Sequence, residues 1–483
     1  MSFSCDKGPL TCDLAADTHA GVLCFSPWYA ERKAAAKVRG GGPRLRILRL
    51  IAILSLAGAL ASCLFELKYT VGGTVTGVHG TGLVLEDNAS SDLSVNASGA
   101  FTFSSRVTKG HTYSVTVRTQ PSNSTQTCTV HNGSGTIVRS DINNVVVTCS
   151  RAGRYAYVAN QTANTISAFA IDSGTGFLTP VAGSPFPSNG SSPAGVAVDP
   201  NGTYLYAVNN GSNTVSIYRI DDATGTLSAA GIAVATGSGP AAVALDPTVR
   251  FLYVANSGAD TVSAFTVQAG LVMPIAASPY AVGREPGALQ LDPNGNFLYV
   301  TNFADGTVTV LAIDSSTGGL SAVSGSPFGS GAGVAAVAVD PTGGFAYTAN
   351  SSAASISSFS IDVSTGLFTA LSGSPLSTAS SPESIAVAPA GTFVFAANVT
   401  SANDIATYAI APASGTLTLS STAVAGLLPR SVAVDPAGQF VYAANADSGD
   451  ISVFNVDAAT GALTAVSGSP FAAGGGARSI AID

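Results

Sequence analysis

From residue 151 to the end of the chain a four-residue signature recurs seven times, and its spacing decides the fold class. It reads Tyr157-Val158-Ala159-Asn160, Tyr206-Ala207-Val208-Asn209, Tyr253-Val254-Ala255-Asn256, Tyr299-Val300-Thr301-Asn302, Tyr347-Thr348-Ala349-Asn350, Phe395-Ala396-Ala397-Asn398 and Tyr442-Ala443-Ala444-Asn445. The seven Asn stand 49, 47, 46, 48, 48 and 47 residues apart. A period of roughly 40–50 residues built from β-type segments points to propeller blades, small sheets that bury their faces only by stacking. The expectation is therefore an all-β chain with seven blades over residues 151–483.

Each repeat divides into four strands. The first is short and apolar, as in Gly195-Val196-Ala197-Val198, and fits a strand buried on both faces. Its small residues (Ala197, Ala244, Ala338, Ala386, Ala433, Ala481) suit a crowded ring axis. Asp199-Pro200-Asn201-Gly202, with counterparts at Asp292, Asp340 and Asp435, suits a type I turn. The second strand ends in the signature, and the third is of the Val262-Ser263-Ala264-Phe265 kind. A Thr-Gly turn (Thr175-Gly176, Thr224-Gly225, Thr317-Gly318, Thr365-Gly366, Thr460-Gly461) leads to the outer strand, and several repeats close with Ser-Pro-Phe, as at Ser184, Ser326 and Ser469. The two ends of the array are complementary. Residues 154–160 begin at a second strand, and residues 478–483 are a first strand with nothing after it. The final strand should complete the first blade and leave no sheet edge open.

These repeats resemble the YVTN-type propellers and the wider lactonase-like seven-bladed family, which includes bacterial 6-phosphogluconolactonases and a muconate-lactonising enzyme. The resemblance spans residues 151–483. Its enzymatic members typically carry Pro-Arg-His at the start of a first strand and Glu after the Asn of the following signature. Here the run is Pro429-Arg430-Ser431, Ala446 follows Asn445, and no His occurs after His131. A propeller without imidazole needs a carboxylate or a metal for base chemistry near neutral pH. One polar cluster remains. Just before each first strand, around the ring from blade one, stand Arg478, Ala194, Ala241, Gly287, Ala335, Glu383 and Arg430. The charged three fall on neighbouring blades at one mouth of the channel, where they could hold an anion or serve a lactone carbonyl, or simply satisfy one another. Arg284 and Glu285 form a second candidate pair on blade four.

Other chemistry rates lower. The repeated Asn suit strand-end hydrogen bonding. Asp199, Asp246, Asp292, Asp340, Asp435 and Asp483 could ring a cation, but capping of their own turns is the simpler reading. Asp305, Asp447 and Asp450 lack the ligand spacing of a calcium loop. Trp motifs of quinone-cofactor propellers are missing, as are nucleotide loops, Ser elbows and zinc motifs. No cofactor and no metal are expected.

The N-terminal part carries an address. Residues 50–62 are a 13-residue apolar run, too short to span a bilayer comfortably, preceded by Arg39, Arg44, Arg46 and Arg49. Leu60-Ala61-Ser62-Cys63 resembles a bacterial lipobox, which implies that Cys63 becomes the first mature residue and carries lipid. Residues 1–37 fit badly before such a signal; a start at Val38, read from a GTG codon, would leave 25 residues ahead of Cys63. Residues 1–62 are expected to be extension and signal. Residues 63–150 alternate with period two between Gly, Asn and Ser turns, as an antiparallel sandwich does, and loosely resemble Ig-like or carboxypeptidase-regulatory-like spacers. Cys128 and Cys149 lie on its last strands. In an exported chain they should form a disulfide, stabilising by roughly 3 kcal/mol.

Charge and composition narrow the partners. Charged residues are 10% and hydrophobic ones 46%, which excludes a disordered chain. Residues 63–483 hold 12 basic and 24 acidic residues, so nucleic acid is not expected. No polybasic run follows the anchor, and attachment would rest on the Cys63 lipid. With Leu64 rather than Asp after that Cys, a Gram-negative host would place the protein at the outer membrane. The leading expectation is a monomeric, exported, lipid-anchored binding or scaffold module at the periplasmic or cell surface, for a glycan, cell-wall or protein partner. The alternatives are a lactonase-like hydrolase using Glu383, Arg430 and Arg478, and a purely structural surface protein.

Overall fold

The computed structural model describes Leu67–Asp483 apart from residues 79–81, 122–125, 152–153 and 401. The expected signal, the lipobox-like run and Cys63 lie outside the described residues. Leu67–Asp483 forms one compact unit.

The seven blades are present, each a sheet of four strands in radial order. In blade two these are Pro193–Val198 at the axis, then Tyr204–Asn209, Thr214–Ile220 and Leu227–Ala229, with a short Val234–Ala235 piece against the third strand. Blade one is closed by the C-terminal strand Ala477–Ile482, which pairs antiparallel with Tyr155–Asn160 in the register Ile480↔Val158 and Ala481↔Tyr157. Asp483 completes the blade: its Oδ1 accepts the N–H groups of Arg154 at 2.9 Å and Tyr155 at 3.2 Å. That is the task Asp292 performs for Asn296 and Phe297 in blade four.

The core lies between blades. The second strand is buried along its whole length in most blades, and its side chains alternate between the two neighbours. Tyr157 and Ala159 pack with Leu205 and Tyr218 of blade two, whereas Ala156 and Val158 pack with Tyr442 and Val453 of blade seven. The inner strands differ in part from the sequence expectation: in most blades they are only partly buried, because their inner side lines the channel, whereas Pro193–Val198 of blade two is buried over its first four residues.

Three repeated contacts lock neighbours together. The aromatic residue that heads each second strand presses on the Thr-Gly-type turn of the next blade. A Cβ at Gly318 would stand 2.3 Å from the Phe251 ring, and its φ of +72° already favours glycine. Second, a signature Tyr hydroxyl donates to that same turn: Tyr157 to Gly225 O, Tyr253 to Gly318 O and Tyr347 to Gly415 O, at 2.9–3.1 Å. Tyr206, Tyr299 and Tyr442 bury hydroxyls that find no partner among the described residues. Third, a left-handed hairpin residue accepts the N–H leading into the next blade, as Asn164 does from Ser192 at 2.6 Å and Asn403 from Leu428 at 2.9 Å. Within blades, the Ser of the Ser-Pro turn accepts a third-strand N–H, for example Ser326 from Val310 at 2.8 Å. The signature Asn donates from Nδ2 to a third-strand hydroxyl, as Asn160 does to Ser167 at 2.8 Å.

Residues 68–151 form two four-stranded sheets around one core. The strands are β1 (Lys68–Thr76), β2 (Leu83–Asp87), β3 (Ser91–Val95), β4 (Gly99–Thr108), β5 (Thr112–Thr119), β6 (Gln126–His131), β7 (Ser134–Thr136) and β8 (Ile142–Arg151). The sheets run β4-β1-β8-β6 and β3-β2-β5-β7. Val71, Leu85, Phe103 and Val147 are among the residues that fill the space between them. The sandwich is not wholly antiparallel: β1 and β8 run parallel, because the last strand returns beside the first. The Cys128–Cys149 disulfide joins directly opposed residues of β6 and β8.

Two stability outcomes follow from these contacts. Deleting residues 477–483 exposes a blade-one edge and two core faces, so the truncated chain should melt far below the intact one; equal melting temperatures would refute closure. Tyr157→Phe, Tyr253→Phe and Tyr347→Phe should each cost about 1 kcal/mol in denaturant unfolding, whereas the same change at Tyr206, Tyr299 or Tyr442 should cost nothing, because no hydrogen bond is lost.

Candidate functional site

The inner strands run along the channel from an upper mouth, where they begin, to a lower mouth, where five of them end in Asp-Pro turns. The second residue of each inner strand sits at a β-bulge, so its side chain is re-aimed relative to the regular ladder. The sequence expectation placed the charged residues just before these strands; they lie at this bulge instead. There the upper mouth brings Glu383, Arg430 and Arg478 together. Arg430 Nη1 stands 3.5 Å from Glu383 Oε2, with both side chains about a quarter to a third exposed. Arg478 is more deeply set, and its Nη1 donates to Gln161 Oε1 at 3.4 Å. Burial and the adjacent Arg430 hold its guanidinium below the ordinary arginine range, while Glu383 works in the opposite direction. One guanidinium thus pairs with the carboxylate, and a second, held by Gln161, lies within electrostatic reach of both at a partly desolvated mouth, an arrangement able to receive an anion or a developing oxyanion.

Three serines, missed in the sequence, fix this cluster. Ser384 Oγ accepts the N–H of Val432 at 3.1 Å, Ser431 Oγ that of Ile480 at 3.2 Å, and Ser479 Oγ that of Val196 at 3.2 Å. Each follows a charged residue and reaches the inner strand of the next blade. The signal was visible in the repeats: the corresponding positions of the other four blades are Gly195, Ala242, Ala288 and Ala336. The mouth therefore has one polar crescent over blades six, seven and one, and a facing wall of Ala and Gly. Ser431, which stands where the enzymatic pattern has His, bonds the backbone of blade one.

The other candidates separate. Arg284 takes Asp305 as its partner at 2.7 Å, and Glu285 turns its backbone N–H to Asp260 Oδ1 at 2.8 Å; both are exposed. The repeated Asp cap their own turns, as Asp199 does toward Thr203 N at 2.8 Å and Asn201 N at 3.1 Å. Asp450 serves Asn445 Nδ2. Among the described residues no group of three His, Cys, Asp or Glu is arranged to hold a metal ion.

A cavity of about 430 Å³ lies at the lower mouth, away from the Arg–Glu cluster. Asp199, Asp292, Asp340 and Asp483 line it from the propeller, and Thr76, Gly77, Thr148 and Cys149 line it from the sandwich. Asn132 Nδ2 donates to Thr342 O at 2.9 Å across the same junction. The sandwich is thus seated on the lower mouth. Burial outweighs the turn N–H groups there and pushes the carboxyls of Asp199 and Asp292 up to about 6. The exposed turn residue Asp314, bonded by Ser316 and Thr317, is held down at about 2.

Comparison with known proteins gives a family and a fold. The family described as "Lactonase, 7-bladed beta-propeller" matches residues 114–238, 228–336 and 330–477. No curated protein matches the sequence. Among solved structures, a candidate 6-phosphogluconolactonase of Bacteroides uniformis is 23% identical with a TM-score of 0.62, over 69% of this chain and 100% of that one. A protein from Lactobacillus plantarum is 21% identical with a TM-score of 0.60, over 68% and 99%. The periplasmic gluconolactonase of Pseudomonas aeruginosa is 21% identical with a TM-score of 0.58, over 68% and 98%. At these identities the likeness is one of fold.

The buried carboxyls predict a pH profile. A folded-state value raised above the unfolded one means that the native state binds the extra protons, so this stability is present below about pH 4 and lost as pH rises through 6. The lowered Asp314 acts oppositely, its contribution being lost as pH falls toward 2. Thermal melting should therefore occur at higher temperature at pH 5 than at pH 7.5, and Asp199→Asn with Asp292→Asn should flatten that limb.

Proposed function

Since the chain belongs to the lactonase family of seven-bladed β-propellers, we propose that its upper mouth binds a lactone and opens its ring by hydrolysis. The observation that carries this reading is the convergence of Glu383, Arg430 and Arg478 from three neighbouring blades of an otherwise small-residue ring. The family match and the fold of the gluconolactonase neighbours support lactone chemistry over a scaffold role.

The chemistry is modest enough for this residue set. A lactone carbonyl enters the mouth with its oxygen toward Arg430 and Arg478, whose N–H groups stabilise the negative charge that grows when water attacks the carbonyl carbon. The Glu383 carboxylate takes the attacking water's proton, in place of the imidazole that the propeller lacks. The tetrahedral intermediate then collapses, the ring C–O bond breaks, and the departing alkoxide takes the proton back from Glu383, giving a hydroxy acid and restoring the carboxylate. The net positive pair of guanidiniums also favours a substrate that carries its own anionic group, and the Ala and Gly wall leaves room for an uncharged part opposite.

Hydrolysis of sugar and muconate-type lactones by the chain from Leu67 onward tests the proposal. Glu383→Gln should lower kcat at least about tenfold with little change in KM, and Arg430→Ala should lower kcat/KM by about 100-fold. Turnover equal to the buffer rate for every lactone, or variants as active as the parent, would refute the hydrolase reading. Lactone binding without turnover would return the mouth to the role of a ligand-binding site.

A further inference from the structure

We propose that the end of the sandwich remote from the lower chamber is a membrane-docking face that takes anionic lipid headgroups. The strands gather at that end residues that are far apart in sequence. Lys68 pairs with Thr108 and Thr70 with Arg106. Lys109 N donates to Leu67 O at 2.8 Å, Gly110 N to Ile137 O at 2.8 Å, and Ile137 N to His111 O at 2.9 Å. The exposed side chains of Lys68, Arg106, Lys109 and Arg139 are thereby carried on adjoining turns and strand ends, with His111 beside them. Four of the 12 Lys and Arg that follow Cys63 stand here, on a chain whose acidic residues outnumber its basic ones two to one over that span. Among the described residues none of the four is in an ion pair. One carboxylate, Asp141, shares the end and accepts the Thr70 N–H at 2.7 Å.

Apolar side chains complete the face. Leu67 is 53% exposed and Val138 66% exposed, each beside a cation in sequence (Lys68 and Arg139), above the buried Ile137. Protruding apolar residues ringed by cations are what an interfacial membrane contact uses: the apolar groups enter the headgroup boundary while the cations meet anionic phosphates. A soluble polyanion would use the cations and gain nothing from Leu67 and Val138. Chain connectivity favours the same occupant. Leu67 lies four residues after Cys63, a tether of at most about 14 Å, so a lipid on that residue would hold this face against the bilayer. No helix among the described residues is long and apolar enough to cross a membrane, and the contact is peripheral. The sequence conceals it because residues 68, 106, 109 and 139 make no basic run.

The placement orients the molecule. β1 runs from Lys68 at this face to Thr76 at the lower chamber, so the sandwich stands between bilayer and propeller. The Glu383, Arg430 and Arg478 mouth then opens on the side away from the membrane.

Co-sedimentation of the chain from Leu67 onward, which holds both cores and the whole face, tests this. With phosphatidylcholine vesicles containing about 30% phosphatidylglycerol, at about 0.1 M salt, the protein should pellet with the lipid; it should stay in solution with pure phosphatidylcholine or at about 0.5 M salt. Lys68→Gln with Lys109→Gln and Arg139→Gln should weaken binding at least about tenfold, and Leu67→Ser with Val138→Ser should weaken it while leaving the melting temperature unchanged. Equal binding to neutral vesicles, no binding to either, or indifference to these substitutions would overturn the proposal. So would capture by soluble polyphosphate without binding to vesicles. Lactone turnover plays no part in the readout, so this proposal and the hydrolase reading can fail separately.

Discussion

Everything in the propeller depends on the contact between one blade's second strand and the next blade's Thr-Gly-type turn. A four-stranded blade is too thin to bury its own faces, so stability comes from stacking, and stacking needs a fixed interblade register. The aromatic ring at the head of each second strand provides it by occupying the volume where the neighbouring turn has no Cβ: Tyr155 against Gly225, Phe251 against Gly318, Phe393 against Gly461, and finally Phe440 against Gly176 across the closure. The last of these shows that the ring is closed by side-chain packing as well as by the Ala477–Ile482 strand. Because each contact is made by a different blade pair, no single one is indispensable to the register, yet all share a geometry that leaves the inner strands parallel to one axis.

On so regular a frame, the charged side chains of the upper mouth stand where the repeat is broken. Four blades place Ala or Gly at the two bulge positions of the inner strand. Three place Glu383-Ser384, Arg430-Ser431 and Arg478-Ser479 there. The serines are part of the same departure, for each spends its acceptor on the next blade's backbone and so fixes the bulge from which its charged neighbour projects. Blade six departs elsewhere too. Its outer strand Leu417–Val424 runs without the Ser-Pro turn that divides the outer strand in five other blades.

Much of this was legible in the sequence. Seven signatures at near-constant spacing fix the blade count, and the complementary ends fix how the ring closes, because a lone first strand can satisfy its backbone only against a lone second strand. The convergence of the three charged residues was legible for the same reason: repeat arithmetic converts sequence position into spatial position. The Cys128–Cys149 pairing was legible differently, as two cysteines on the last strands of a small β domain. What escaped is what has no repeat. The β1–β8 parallel pair, the seating of the sandwich on the lower mouth and the choice of Asp305 over Glu285 by Arg284 arise from contacts between unlike segments, for which spacing carries no information. The half-exposure of the inner strands escaped for another reason. An apolar run reads the same whether it faces a packed core or a narrow channel lined by its own kind.

The seating of the sandwich changes what the channel can do. Its lower end carries the Asp-Pro turns, several of them with carboxylates buried among their own N–H groups, and the sandwich's Thr76, Gly77, Thr148 and Cys149 lie over it. Its upper end carries two guanidiniums for one carboxylate. The two ends of the axis thus differ in charge, and the domain that follows the N-terminal segment lies over the carboxylate-bearing one. A spacer need only supply length. A domain seated over the carboxylate-bearing mouth leaves the mouth with two guanidiniums uncovered by it, and the position of the sandwich thereby shapes the field along the channel.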